Sequence, residues 1–139
     1  MGIPLADRQE LLTQPLIAAL SVNRENRQGP LTVPIWYDYT PGGDVWFVTG
    51  KDSLKTRLIK AAGRCTLMVE RVDPTVRYVS VEGPVRIADA AEGESEAMAR
   101  RYLPPEAVGP YLAEAANFPP EVTVRLSPEN WLSADLGAF

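Results

Sequence analysis

Residues 31–49 constrain this chain more than any other stretch. Over 31–40 the side chains alternate: Leu31, Val33, Ile35, Tyr37 and Tyr39 share one face, and Thr32, Pro34, Trp36 and Asp38 share the other. A period of two belongs to a strand with one face on a core, not to a helix. Pro41-Gly42-Gly43-Asp44 then supplies a hairpin turn, and residues 45–49, Val-Trp-Phe-Val-Thr, return as its partner strand. A lone hairpin is marginal in water, so this pair calls for further strands and predicts a mainly antiparallel β domain.

The returning strand runs straight into Gly50-Lys-Asp-Ser-Leu-Lys-Thr-Arg57. A helix is predicted over 53–62, with Leu54, Leu58, Ile59 and Ala62 as its apolar stripe and Lys55 at the stripe's edge. Lys60 then points to solvent, and Gly63 ends the helix. A helix start presents unpaired N–H groups and the positive end of the dipole, so Ser53 and Lys55 in its first turn suit a phosphate. Cations near a helix N-terminus are slightly unfavourable, which makes Lys55 and Arg57 informative: an anion would offset them. The alternative is that Ser53 or Asp52 simply caps a surface helix whose cations are solvated.

Composition removes several function classes. The chain has 139 residues, a formal charge of −4 and 45% hydrophobic residues, which fits one globular domain over 1–139 and excludes a mainly nucleic-acid-binding protein. No stretch approaches the roughly 20 apolar residues of a membrane span. The start of the chain carries Asp7, Arg8, Gln9 and Glu10 before its apolar stretch and does not read as a signal peptide. Cys65 is alone, which suits a reducing cytoplasm and a small buried hydrophobe rather than a disulfide. Histidine is absent. That removes Ser-His and Cys-His nucleophiles and the commonest zinc ligand, and no metal site is expected. Neither a GxGxxG nor a Walker-type loop is present. Chemistry here would be carried by a bound cofactor.

The remaining elements are a helix over 5–13, strands over 17–24, 64–72, 76–88 and 122–126, and helices over 92–103 and 106–116 joined at Pro104-Pro105. Gly83-Pro84 in the long strand predicts a bulge or sharp bend of the kind barrels use at corners. Many strands, few helices and hairpin links predict a small antiparallel barrel.

In order, the chain reads Pro30-Leu-Thr-Val-Pro-Ile-Trp-Tyr37, hairpin, Val48-Thr-Gly50, Ser53-x-Lys55, helix, strand, Tyr78-Val-Ser-Val-Glu-Gly-Pro-Val85. This order resembles the split β-barrel superfamily of pyridoxamine-phosphate-oxidase-like flavin-binding proteins. More narrowly it is similar to the actinobacterial flavin and deazaflavin oxidoreductases, over about 17–85 with a weaker match in the last strand. The resemblance implies a split-barrel homodimer with the cofactor in a groove between the barrels. It implies that Ser53 and Lys55 hold the cofactor phosphate, helped by Thr49, and that the backbone of Val33, Pro34, Ile35 and Trp36 runs beside the ring. Arg57 is a candidate for a second phosphate contact or for the acidic tail of a deazaflavin. Residue by residue, Tyr37, Tyr39, Trp46 and Phe47 are expected in the core or dimer interface, and Trp36 in either the core or the ring wall.

The sequence also departs from the family. True pyridoxamine-phosphate oxidases use basic residues and histidine near the C-terminus to hold the substrate phosphate. Here that segment is Arg125-Leu-Ser-Pro-Glu-Asn-Trp131. Haem-binding relatives need an axial ligand such as histidine. Two cofactors remain, FMN and the deazaflavin coenzyme F420; the eleven arginines against three lysines suggest a GC-rich genome and favour the deazaflavin. The expected function is reduction of a small organic substrate, with the flavin or deazaflavin as hydride carrier. Tyr37 or Tyr78 could donate a proton, though nothing singles them out. Two rival readings are a non-catalytic protein that binds or stores the cofactor, and a barrel with no cofactor at all.

Overall fold

The computed structural model describes residues 2–137. Helix α1 (Leu5–Thr13) leads into β1 (Ala18–Val22), β2 (Leu31–Ile35), β3 (Asp38–Tyr39) and β4 (Val45–Gly50). Helix α2 (Leu54–Ala62), β5 (Arg64–Arg71) and β6 (Arg77–Asp89) follow. Then come α3 (Glu94–Tyr102), α4 (Pro105–Ala115), β7 (Glu121–Leu126) and β8 (Asn130–Asp135). All strand pairs are antiparallel, in the order β2-β1-β5-β6-β7-β4-β3, with β8 also on β6. The sheet curls around one core of Leu20, Tyr37, Phe47, Leu67, Val69, Val79, Val81, Val124 and Leu126, closed by Leu12 of α1 and Ile59 of α2. This is a split barrel flanked by four helices.

Strand β6 makes the corner. Its first half pairs with β5 and β8, and its second half, Val85 to Asp89, pairs with β7. Between the halves lie Gly83 and Pro84. The segment joining β7 to β8 crosses so close that a Cβ on Gly83 would sit 1.9 Å from the Ser127 carbonyl oxygen. Glycine is required there by the approach of another backbone. The predicted bend is therefore present. β8 continues the line of β7 along β6, although Asn130-Trp131-Leu132 carries no strand pattern strong enough to read beforehand.

The alternating segment holds a second corner. All of Leu31, Val33, Ile35, Tyr37 and Tyr39 face inward as expected, but the strand breaks at Trp36-Tyr37. Leu31–Ile35 pairs with β1, and only Asp38–Tyr39 forms the hairpin with β4, whose other edge takes β7. The hairpin turn is as predicted, with Gly42 at φ +84° and the Gly43 N–H donating to the Thr40 carbonyl at 2.8 Å. The partner differs because alternation reports which side faces the core, not which strand lies alongside. Both sheets wrap one core, so the period passes through the corner unbroken.

The α2 stripe is also corrected. Thr56 and Ile59 are its buried positions, whereas Leu54 and Ala62 are exposed. A polar residue takes the inward place because its hydroxyl donates to the Gly50 carbonyl at 2.7 Å, which removes the cost of burying it. Gly63 ends the helix at φ +70° as expected. Among the described residues, no helix is long and apolar enough to cross a membrane.

Candidate functional site

A cavity of about 390 Å³ opens on the outer side of β4, beneath α3 and α4. The end of β2 contributes Pro34 and Ile35, and Trp36 follows at the strand break. Val48 comes from β4, Ser95 and Met98 from α3, Tyr111 from α4, and Glu121 from the start of β7, with Ile17 at the rim. Three of the ring-wall residues expected from sequence, Pro34, Ile35 and Trp36, are thus brought together. Val33 faces the core side of β2, half-buried.

Trp36 is a wall because of what holds it. Its ring stacks on Tyr102 with centroids 5.1 Å apart and planes 6° from parallel, and Tyr111 lies tilted at 5.7 Å. Such offset pairs are favourable beyond their burial. Where the strand breaks, the Tyr37 backbone leaves the ladder and must find other partners. The Tyr37 N–H donates to the Tyr102 hydroxyl at 3.2 Å. The Tyr37 carbonyl accepts from Arg101 Nε at 2.8 Å and lies 3.0 Å from the Tyr102 hydroxyl, whose single proton it shares with the nearer Leu16 carbonyl at 2.7 Å. Arg101 also donates to the Thr13 and Gln14 carbonyls, both at 2.9 Å, and pairs with Asp38 at 3.2 Å. Two consecutive residues of α3 therefore fasten the break, the end of α1 and the Trp36 ring together. Neither was singled out from the sequence, since their partners lie 63 to 88 positions away.

Gly50, Ser53, Lys55 and Arg57 do not line this cavity; strand register alone relates the turn before α2 to it. Val48 lines the cavity, and two residues on Gly50 pairs with Glu121. The Gly50 carbonyl accepts from the Ser53 N–H at 3.2 Å, and a Cβ on Gly50 would meet the Ser53 Cβ at 3.7 Å. Ser53 is the N-cap: its Oγ accepts from the Thr56 N–H at 3.3 Å and lies 3.0 Å from Thr56 Oγ1. The local alternative of a capped helix therefore holds, and the cap leaves the Leu54 and Lys55 N–H groups with no acceptor among the described residues. Lys55 is half-buried and Arg57 exposed, and neither makes an ion pair among the described residues. Thr49 is buried on the opposite side of β4 from Val48.

The polar groups at the helical end are Ser95, whose hydroxyl donates to Glu121 Oε1 at 3.1 Å, and Tyr111. Burial, and then the Glu121 charge, raise the Tyr111 phenol above its ordinary range, so it stays protonated. Beside them Glu94 is held by the Ala91 N–H at 2.7 Å, by Thr123 Oγ1 at 2.8 Å and by Arg125. Burial alone would raise the Glu94 carboxyl, but these donors outweigh it and keep it below the usual carboxylate range. Tyr37 is fully buried, with its hydroxyl donating to the Leu12 and Gln14 carbonyls, and burial raises its phenol far above normal. It lies outside the cavity lining and has no route to a substrate. Tyr78 sits half-buried on β6, also outside that lining. Tyr39 and Phe47 are core as expected, and Trp46 faces outward, outside the core, under the Arg125 guanidinium at 5.5 Å. Cys65 is buried, and burial pushes its thiol up to about 12. Among the described residues no cluster of metal-ligating side chains occurs.

The sequence profile of one family, pyridoxamine 5'-phosphate oxidase, matches residues 6–134. The chain belongs to that family. Solved structures similar to this pyridoxamine-phosphate-oxidase-family protein include an F420 reductase, 23% identical over 89% of this chain and 94% of that one, with a TM-score of 0.70. A conserved hypothetical protein from Mycobacterium tuberculosis is 21% identical over 96% of this chain and 85% of that one, with a TM-score of 0.72. An FAD-binding protein from Mycobacterium smegmatis is 16% identical over 96% and 98%, with a TM-score of 0.62. At these identities the likeness is one of fold. No curated protein matches the chain.

Proposed function

We propose that this family member binds a flavin-type cofactor, coenzyme F420 or FMN, and uses it to reduce a small organic molecule. The observation that carries the reading is the aromatic-walled cavity at Pro34, Ile35 and Trp36, set on the strand that runs into the α2 turn. Val48 of that cavity stands on β4 two residues before Gly50, and the α2 start beyond it carries free N–H groups and a Lys55 with no ion pair among the described residues. A ring with a phosphorylated chain has that layout. The backbone of Val33 to Trp36 would flank the ring, and Ser53 and Lys55 would hold the phosphate. Thr49 would support that turn from the strand end, and Arg57 would meet any longer acidic tail. When bound, the cofactor supplies hydride transfer. The chain's own residues bind, orient and exclude water, with Tyr111 a protonated phenol at the cavity wall. The F420 reductase and FAD-binding protein of the same fold support this class of cofactor, and the F420 reductase favours the deazaflavin.

Oxidation of pyridoxamine phosphate is not the proposed activity. The chain has no histidine, and Arg125 is committed to Glu94 and to the Trp46 ring. A second copy is proposed to cover the outer face of the sheet. Register aligns Pro34, Ala19, Met68, Ser80 and Leu132 in one row across β2, β1, β5, β6 and β8. Leu132 is 64% exposed, and Pro34 belongs both to this row and to the cavity. A dimer through this face would close the cofactor groove.

Side-by-side titration with F420, FMN and riboflavin tests the reading. Riboflavin keeps the ring and lacks the phosphate, so it is expected to bind at least tenfold more weakly than FMN, with the difference shrinking as salt rises. Equal affinity for the two would reduce the turn to a helix cap. Turnover of a test substrate with reduced F420 separates an oxidoreductase from a storage protein.

A further inference from the structure

We propose that the helical end of the cavity selects an organic cation: a flat apolar body against Trp36 and Tyr111, with its positive nitrogen at Glu121. This rests on the reading that the cavity is where cofactor and substrate meet, and it names the class of substrate.

Charge accounting around the cavity leads there. Glu94 is paired with Arg125, Asp38 with Arg101, Asp89 with Lys51 and Asp44 with Arg86. Glu121 is different: it lines the cavity, accepts one hydrogen bond from Ser95, and has no cation within ion-pair distance among the described residues. A carboxylate on a cavity wall without a cationic partner leaves its charge open to a ligand that carries the opposite one. The wall facing it points to the same ligand. Trp36 and Tyr111 lie 5.7 Å apart at 42°, and Tyr111 meets Phe118 edge-on at 6.1 Å. Aromatic faces carry negative potential and attract cations. Met98 adds apolar surface at this end, while Pro34, Ile35 and Val48 remain for the cofactor ring. The raised Tyr111 phenol stays neutral and a donor, so it adds no competing charge. A carboxylate ligand would face repulsion from Glu121, and a neutral one would leave Glu121 without a cationic partner.

The probes are N-methylquinolinium, its neutral isostere methylnaphthalene, and naphthalene carboxylate, titrated into the purified protein by calorimetry. The cation is expected to bind about tenfold or more tighter than the neutral isostere, with the carboxylate weakest. Glu121→Gln keeps the side chain's size and its acceptor for Ser95, so the variant should fold, as a thermal melt checks. It should bring the cation to within about threefold of the neutral compound. Equal binding of cation and isostere to the native protein, or a preference that survives Glu121→Gln, would overturn the inference. The FMN titration is a separate readout. FMN binding without cation preference leaves the flavin reading standing and removes this one. A Glu121-dependent preference without FMN binding keeps the cation site and removes the flavin.

Discussion

Arg101 is the side chain whose loss should propagate furthest. It is only 16% exposed, donates to three backbone carbonyls, pairs with Asp38, and lies over the rings of Tyr37 and Tyr102 at 5.3 and 5.6 Å. Charge-assisted bonds of this kind contribute roughly 1.5–3 kcal/mol each in isolation, but they do not add. In Arg101→Ala the Tyr37 carbonyl keeps only the Tyr102 hydroxyl proton that it shares with the Leu16 carbonyl, and the Thr13 and Gln14 carbonyls of half-exposed residues can be rehydrated. What remains is the lost packing of the stem and the partly unsatisfied strand break, about 2–4 kcal/mol of a typical total of about 5–15. Arg101→Lys keeps a charge for Asp38 but not the planar fork that reaches several carbonyls at once, and should lose about 1–2 kcal/mol. Arg100, one position away, is 62% exposed and pairs only with Glu96 at 3.4 Å, so Arg100→Ala should lose no more than about 0.5 kcal/mol. Urea unfolding followed by circular dichroism reads all three. With a slope of about 1–3 kcal/mol per molar, a loss of about 3 kcal/mol moves the midpoint by roughly 1–3 M. If Arg101→Ala unfolds at the same urea concentration as Arg100→Ala, the latch does not hold the break. FMN affinity should fall alongside stability in Arg101→Ala, because Trp36 loses its support.

Four further outcomes are expected. Gly83→Ala places a methyl 1.9 Å from the Ser127 carbonyl oxygen, so backbone at the corner must move, and a loss of at least about 2 kcal/mol should appear in thermal melts. Hydrogen bonds from Arg64, then from Asn130, hold the Glu82 carboxyl down to about 2, against 4.5 when unperturbed. The folded value is the depressed one, so this stabilisation is complete above about pH 4.5 and is lost as pH falls toward about 2. Glu82→Gln should flatten that part of a stability–pH profile, and an unchanged profile would place the acid sensitivity elsewhere. Lys55→Ala should weaken FMN binding by about ten- to a hundredfold while leaving the melting temperature almost unchanged, since the side chain is half-buried and its removal opens no enclosed cavity; sedimentation should find a dimer at micromolar concentration in both proteins.

Sequence by itself determined what short-range chemistry controls. The helix bounds at 5–13, the capped start at Ser53, the Gly63 stop, the Gly42-Gly43 turn and the bend at Gly83 each follow from a few neighbouring residues. The inward set Leu31, Val33, Ile35, Tyr37 and Tyr39 follows from a period of two, which any sheet obeys. Tertiary structure decided the partners. Residues 31–35 and 38–39 share one pattern yet join different strands, because a period records a face and not a neighbour. Half of the candidate site, the segment Pro34 to Trp36, was legible because strand chemistry marks it locally, while Ser53 and Lys55 lie outside the cavity lining. The other half was not. Arg101, Tyr102, Tyr111 and Glu121 sit in ordinary helical and strand contexts, and their roles come from carbonyls, rings and hydroxyls tens of residues distant. Those distances are closed only when the sheet curls and lays α3 and α4 over β4.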